Sequence, residues 1–305
     1  MTPVIVISLD FELRWGVADR LPDNPQAYRR NLLGAKDAVW RMLELFEERK
    51  IGATWATVGA LACSGWDEYH ERAPRKPTYQ SRAIGFRKTW QELDPKGELH
   101  FAPELVDAIA STANQELGSH SFSHIYFREA GCQRSDILAD SLAVRKMFGD
   151  RTGRIPTSFV FPRNQVSHTT ILQEAGIRRW RENPRVFYWN ATRSDEQSKL
   201  ARGLRMADAL VPIGSRRAGA KEMRASYLVR FPLPDWAWQL HVKRISSDAR
   251  KLRPGEALHL WWHPHNLGAA VDVGLNRLAN LLDQIQEAAP VITRFTTMEQ
   301  SSRSA

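Results

Sequence analysis

Short apolar runs rich in β-branched residues recur along this chain with amphipathic stretches between them, and no other feature restricts its fold as much. Val4 to Leu9 reads as a buried strand. Asn31 to Lys50 sets Leu33, Val39, Trp40, Leu43, Leu45 and Phe46 close to helical spacing, Gly52 breaks the pattern, and Ala53 to Leu61 reads as the next strand and turn. The pattern then repeats. Helices are expected over Leu105 to Ala113, Asp136 to Phe148, Thr169 to Ala175 and Val273 to Ala288. Strands are expected at Glu116 to His120, Ser158 to Phe161, Ala257 to Trp262 and Val291 to Phe295. Strands alternating with helices predict a parallel α/β sheet or barrel.

Two segments interrupt the alternation. Residues 63–103 carry Pro74, Pro77 and Pro95 among many charges and aromatics, and read as an excursion over the surface. Residues 183–225 form a second, basic excursion with one helix expected around Asp195 to Leu210. There is no repeat, no low-complexity segment and no linker that forces a boundary, so 1–305 reads as a single domain.

Composition narrows the function classes. A hydrophobic content of 43% suits a globular protein, and 43 Lys and Arg against 34 Asp and Glu leave a net charge of +9. That balance favours anionic partners. The basic residues are scattered or paired, as in Arg29-Arg30, Arg178-Arg179 and Arg216-Arg217, with no recognition motif, which argues against nucleic acid. The opening Met1 to Ser8 lacks a basic leader, and no segment reaches the roughly 20 apolar residues that span a bilayer. Cys63 and Cys132 match no metal or redox spacing. A cytoplasmic, soluble protein with reduced thiols is expected.

Three segments carry chemistry, each following a predicted strand: Asp10-Phe11-Glu12, His120-Ser121-Phe122-Ser123-His124 and Trp261-Trp262-His263-Pro264-His265-Asn266. In α/β folds such positions converge on one mouth. Two imidazoles and a carboxylate form a three-ligand set that leaves metal positions open for water, as in catalytic zinc sites. A carboxylate and a histidine remain for proton transfer. Taken singly, each segment also has a structural reading: a capping Asp10, partly exposed turn histidines, or core histidines beside packing tryptophans. Arg163, after Phe161-Pro162, serves equally as the orienting partner of a carboxylate or as a surface ion pair. Eleven tryptophans suit either sugar stacking or the core.

Together these segments resemble the polysaccharide deacetylase family, the NodB-homology group or carbohydrate esterase family 4. Paired acids end an early strand (Asp10, Glu12), an H-[ST]-x-x-H type motif follows (His120 to His124), and a later strand ends in a histidine (His263). The resemblance spans about residues 4 to 266. It departs from the family where Asp-Phe-Glu replaces contiguous Asp-Asp and Phe161-Pro162-Arg163-Asn164 replaces Arg-x-Pro-aromatic. The fourth motif has no counterpart.

The resemblance implies a distorted seven-stranded (β/α) barrel and one divalent metal ion, zinc, held by Glu12, His120 and His124. It makes Asp10 the general base, His263 the general acid and Arg163 the brace of the base. Asn164, Trp262 and His265 are then expected to face substrate. The activity implied is removal of an N-acetyl or N-formyl group from an amino sugar. Without a signal peptide, the chain looks more like the cytoplasmic members that help build bacterial surface polysaccharides of the lipopolysaccharide, O-antigen or capsule type. An anionic substrate would suit Arg72, Arg75, Lys76, Arg82, Arg87 and Lys88, then Arg202, Arg205, Arg216 and Arg217, which equally suit a solvated surface. Amide hydrolysis of a small cyclic ureide or imide, and non-catalytic glycan binding, are the competing readings.

Overall fold

The computed structural model describes residues 2–17, 26, 28–80, 90–193, 196, 198–208 and 216–301, without the side chain of residue 202. Nine strands alternate with ten helices among these residues. The strands are β1 (Val4–Phe11), β2 (Ala53–Thr57), β3 (Gln115–Ser119), β4 (Ser158–Phe159), β5 (Arg179–Trp180), β6 (Ala218–Gly219), β7 (Tyr227–Leu228), β8 (Glu256–Trp262) and β9 (Arg294–Thr296). The helices are α1 (Arg29–Glu48), α2 (Trp66–Arg72), α3 (Trp90–Leu93), α4 (Pro103–Ser111), α5 (Arg134–Thr152), α6 (Thr169–Glu174), α7 (Lys199–Ala207), α8 (Asp235–Arg250), α9 (Val271–Ala288) and α10 (Met298–Ser301).

The sheet runs β5-β4-β3-β2-β1-β8, and β7 lies parallel to β8. A parallel bridge between Glu182, just past β5, and Arg224, just before β7, joins the two ends. Seven parallel strands therefore curl into a ring that one bridge closes, which is the distorted seven-stranded (β/α) barrel expected. On β1, β8 occupies one edge over Val4–Leu9. The other edge is shared by β9, against Val4–Val6, and β2, against Ser8–Phe11. The short β6 is antiparallel to β8.

The period of two along each strand sorts the side chains into two compartments. Ile5, Ile7, Leu9 and Phe11 of β1, Trp55 of β2 and Leu258, Leu260 and Trp262 of β8 point outward into the main core with α1, α8 and α9. Alternate residues point inward. Val4, Val6, Ala56, Val160, Ala257 and Met298 form an apolar cluster inside the barrel. Past Val4 and Val6 the inward positions of β1 are Ser8 and Asp10, and past Ala257 those of β8 are His259 and Trp261. Along β1 and β8 the inward side chains thus change from apolar to polar toward the C-terminal end, while Thr54, on the β2 position paired with Ser8, donates to Glu116 of β3 at 2.6 Å.

Residues 63–103 differ from the surface excursion expected. Trp66, Tyr69 and Trp90 from this segment are buried, with His100 and Phe101, around Trp15. Burying aromatic area outweighs the irregular, charged sequence between these anchors. Residues 81–89 lie outside the described residues. The helix expected from Asp195 to Leu210 is observed as Lys199–Ala207, with Asp195 and Leu210 also outside them. Helix α8 and strand β5 were not anticipated.

Helix α1 meets the turn after β8 at very close range. A Cβ at Gly34 would stand 2.0 Å from the Gly268 carbonyl oxygen, and one at Gly268 would stand 1.9 Å from that of Asn31. Asn31 also donates to the carbonyl of His265 at 3.2 Å. Only two glycines let the helix hold the turn that carries His263 and His265. Gly268→Ala is expected to cost about 1–3 kcal/mol of stability, as overpacking does. Gly65→Ala, which would place its Cβ in open space, is expected to be nearly neutral; urea unfolding of the two variants checks this.

Candidate active site

The C-terminal ends of the strands bring the three chemical segments together. Asp10 and Glu12 leave β1 two residues apart, and both are buried. His120 follows β3 directly, its amide donating to the Thr57 carbonyl at 3.0 Å. The turn from His120 to His124 places Ser121 (φ 69°) and His124 (φ 55°) in the left-handed region, which non-glycine residues seldom adopt. It is held from several sides. Gly59 and Ala60 donate to the Ser121 and Phe122 carbonyls at 2.9 Å each, and Ile125 N–H donates to Ser121 Oγ at 3.0 Å. Asp140 on α5 accepts from Phe122 N–H at 2.8 Å and Ser123 N–H at 3.1 Å.

This turn points both imidazoles at Glu12. His120 Nε2 and His124 Nε2 lie 3.2 and 3.1 Å from Glu12 Oε2. The ligand atoms of Glu12, His120 and His124 all fall within 4.8 Å of one another. His120 Nδ1 is 2.8 Å from the Val160 carbonyl, an acceptor only, so Nδ1 carries the proton and Nε2 presents a lone pair. Both ring nitrogens of the buried His124 lack a hydrogen-bond partner of good geometry. Burial alone would raise the Glu12 pKa, but the His263 charge and contacts with His120 and His124 outweigh it and hold the carboxyl well below its usual range. For His124, burial dominates and lowers the pKa despite Glu12. An ionised carboxylate and two imidazole lone pairs converging in a buried site fit a divalent cation.

Asp10 faces the other way, toward Arg181. Nη1 and Nη2 of Arg181 donate to Oδ1 and Oδ2 at 2.6 and 2.8 Å, a bidentate pair among buried side chains. Burial again acts to raise the Asp10 pKa, and the Arg181 charge and hydrogen bonds outweigh it and hold the carboxyl below its usual range. His263 Nε2 stands 3.7 Å from Asp10 Oδ2 and 3.6 Å from Glu12 Oε1, and its side chain keeps 24% exposure where the neighbouring groups are sealed.

Arg163 is not the partner of Asp10. It stacks 4.4 Å over the Tyr126 ring and reaches Glu129 at 3.8 Å, because its own φ of 56° turns the chain at the end of β4. Burial pushes its guanidinium down to about 10. Arg181, which the sequence reading missed, sits just beyond β5. Two residues of strand with no apolar run give almost no periodicity to read, and the one signal was the alternation of Arg179 and Arg181 around Trp180.

Trp262 does not face substrate either. It is fully buried in the outer core against Phe46 and Phe231, on the opposite face from its inward neighbour Trp261. Asn164 accepts from Arg181 Nη2 at 2.9 Å through Oδ1 and from Asn183 at 2.9 Å through its carbonyl, so it supports the guanidinium. His265 is buried, packs edge-on to Tyr28 and holds Nδ1 4.0 Å from Glu12 Oε1.

Four of the ten basic residues expected to meet an anion serve the fold. Arg72 pairs with Glu68 and Asp150, Arg216 with Asp208 and Arg217 with Glu256, while Arg205 donates to the Tyr188 carbonyl. Arg75 and Lys76 are exposed, with the Lys76 ammonium 3.6 Å over the Trp90 ring. Arg82, Arg87, Lys88 and the Arg202 side chain lie outside the described residues.

A curled (β/α) barrel with a buried carboxylate–imidazole centre at the C-terminal ends of its strands is one class of protein, and comparison with known proteins narrows it. The sequence pattern described as polysaccharide deacetylase matches residues 31–180. Over that stretch the sequence carries the pattern of the polysaccharide deacetylase family, carbohydrate esterase family 4. Its fold is similar to that of a candidate polysaccharide deacetylase from Mycobacterium smegmatis, with a TM-score of 0.58 at 13% identity over 99% of this chain and 90% of that one. The peptidoglycan deacetylase PdaC from Bacillus subtilis aligns with a TM-score of 0.44 at 12% identity over 99% of this chain and 91% of that one. A family 4 pseudoenzyme from Bacillus anthracis aligns with a TM-score of 0.44 at 13% identity over 95% of this chain and 66% of that one. These two weaker likenesses have no bearing on the site. No curated protein matches the sequence. No helix among the described residues is long and apolar enough to cross a membrane.

Two predictions follow from the supports of this centre. A Cβ at Gly16 would stand 1.9–2.3 Å from the Glu12 carboxyl atoms. Gly16→Ala should therefore displace that carboxylate and weaken zinc or cobalt binding about 10–100-fold, read by metal content after dialysis. Burial also pushes Asp140 up to about 6 from its ordinary 3.8. The folded state then binds the extra proton, so the contribution of Asp140 to stability is greatest below pH ~4 and is lost as pH rises to ~6. Urea midpoints across that window should lose this slope in Asp140→Asn, which also leaves Ser123 N–H without its acceptor.

Proposed function

We propose that this chain hydrolyses the N-acetyl or N-formyl group of an amino sugar. The observation that supports this most is the placing of two ionised carboxylates with different partners in one buried mouth: Glu12 among imidazoles and Asp10 clamped by Arg181. Glu12, His120 and His124 would hold one divalent ion, zinc in this reading. When bound, such an ion lowers the pKa of water and polarises an acyl oxygen.

The side chains divide the proton work. Asp10, ionised and fixed through both oxygens by Arg181, takes the proton of the attacking water. His263 is the partly exposed member of the group and faces the same space, where it gives a proton to the departing amine. Without that proton the amine is the poorer leaving group and the amide re-forms. Neutralising Asp10 with Arg181 keeps the base oriented and makes a second buried anion beside Glu12 tolerable.

The finer reading is an amino sugar of a bacterial surface polysaccharide under assembly, bearing a phosphate or uronate. Its support is the charge of +9, with Arg163 beside Tyr126 next to His124. Cytoplasmic placement belongs to the same reading.

Asp10→Asn should lower release of acetate or formate from N-acylated amino sugars by about 10²–10⁴-fold with bound metal retained. Turnover close to wild type in this variant would remove Asp10 as the base. Cyclic ureides and imides in the same substrate panel separate the deacetylase from the small-amide hydrolase.

A further inference from the structure

Below Asp10 the barrel interior holds two polar side chains that take no part in the proton transfers described above. Ser8 stands one inward position below Asp10 on β1, and His259 one inward position below Trp261 on β8; the register pairs Ser8 with Trp261 and Val6 with His259. Both Ser8 and His259 are buried. We propose that Ser8 and His259 are positioning residues that lock the Arg181 guanidinium in the orientation that meets both oxygens of Asp10. The proposal rests on the reading of Asp10 as the general base.

Counting N–H groups supports it. The two terminal nitrogens of a guanidinium carry four N–H bonds. In Arg181, Nη1 donates to Asp10 Oδ1 at 2.6 Å and Ser8 Oγ at 3.0 Å, and Nη2 donates to Asp10 Oδ2 at 2.8 Å and Asn164 Oδ1 at 2.9 Å. All four are directed, with Ser8 and Asn164 flanking the carboxylate on either side. The Trp261 ring, 4.2 Å from Cζ, fixes the plane of the group. Trp261 thus resists tilting, and Ser8 and Asn164 resist rotation within the plane.

His259 completes the arrangement by orienting Ser8. Its Nε2 lies 2.9 Å from Ser8 Oγ. With one hydroxyl lone pair taken by Arg181, a bare Nε2 accepts the Ser8 proton, and donors run in one direction: Arg181 to Ser8 to His259. That order needs a neutral imidazole protonated at Nδ1. Burial, followed by the charge of Arg181, pushes the His259 pKa down to about 3, so its imidazole is neutral near neutral pH.

The test uses the metal-loaded protein labelled with ¹⁵N-arginine. Wild type should show resolved, slowly rotating Arg181 Nη–H signals, which average in Ser8→Ala and His259→Phe. In both variants kcat should fall about 10–100-fold while KM and metal content hold. His259→Gln, whose amide oxygen can accept the Ser8 proton, should recover most of kcat. Unchanged Arg181 signals, or an unchanged kcat in an active enzyme, would show that Ser8 and His259 only fill the barrel. If wild type releases no acyl group from any sugar, the deacetylase reading fails, and the Nη spectra alone then decide whether the pair positions Arg181.

Discussion

Two carboxylates are buried at the top of a closed barrel, and the arrangement around them follows from the need to keep that charge compensated. A buried, unpaired carboxylate is too costly to persist in ionised form. Asp10 meets the need with a bidentate guanidinium, and Glu12 with imidazoles on three sides. Because the two groups are compensated by different chemistry, they take different roles although only one residue separates them. Removing Arg181 or the histidines would leave an uncompensated buried charge.

The strand period delivers this arrangement. Inward residues on β1 run Val4, Val6, Ser8, Asp10, and on β8 they run Ala257, His259, Trp261 before His263. Both series pass from apolar to polar along the barrel axis. Lower rungs exclude water and pack, middle rungs orient Arg181, and the top rungs face the mouth. The left-handed turn from His120 to His124 adds the third side, and Asp140 holds it from outside the barrel through two backbone amides.

Much of the fold was legible because it rests on long, strongly periodic segments. Val4 to Leu9, Ala257 to Trp262, α1 and α9 each present enough apolar residues in register to declare their type. The elements that were missed are short or lack contrast: β5 has two residues, both half-buried, and α8 spreads charges and aromatics around its surface. The 63–103 segment misled for another reason. Its prolines and charges describe the path of the backbone, whereas Trp66, Tyr69 and Trp90 go where Trp15 offers area to bury.

Residue identity and spacing alone therefore placed Asp10, Glu12, His120, His124 and His263 at strand ends, since a side chain just past a parallel strand has one place to go. Which guanidinium reaches Asp10 was beyond local spacing. Arg163 and Arg181 both follow inner strands, and the choice turned on a positive φ at Arg163 and on the closing of the ring beside Arg181. The same holds for the two adjacent tryptophans: strand parity separates Trp261 from Trp262, but only the closed barrel decides which face is the inside. Sequence determined the chemical inventory and the order of its delivery. Tertiary structure decided the partners, because contacts between residues some 170 positions apart depend on how the sheet curls and closes rather than on any local preference.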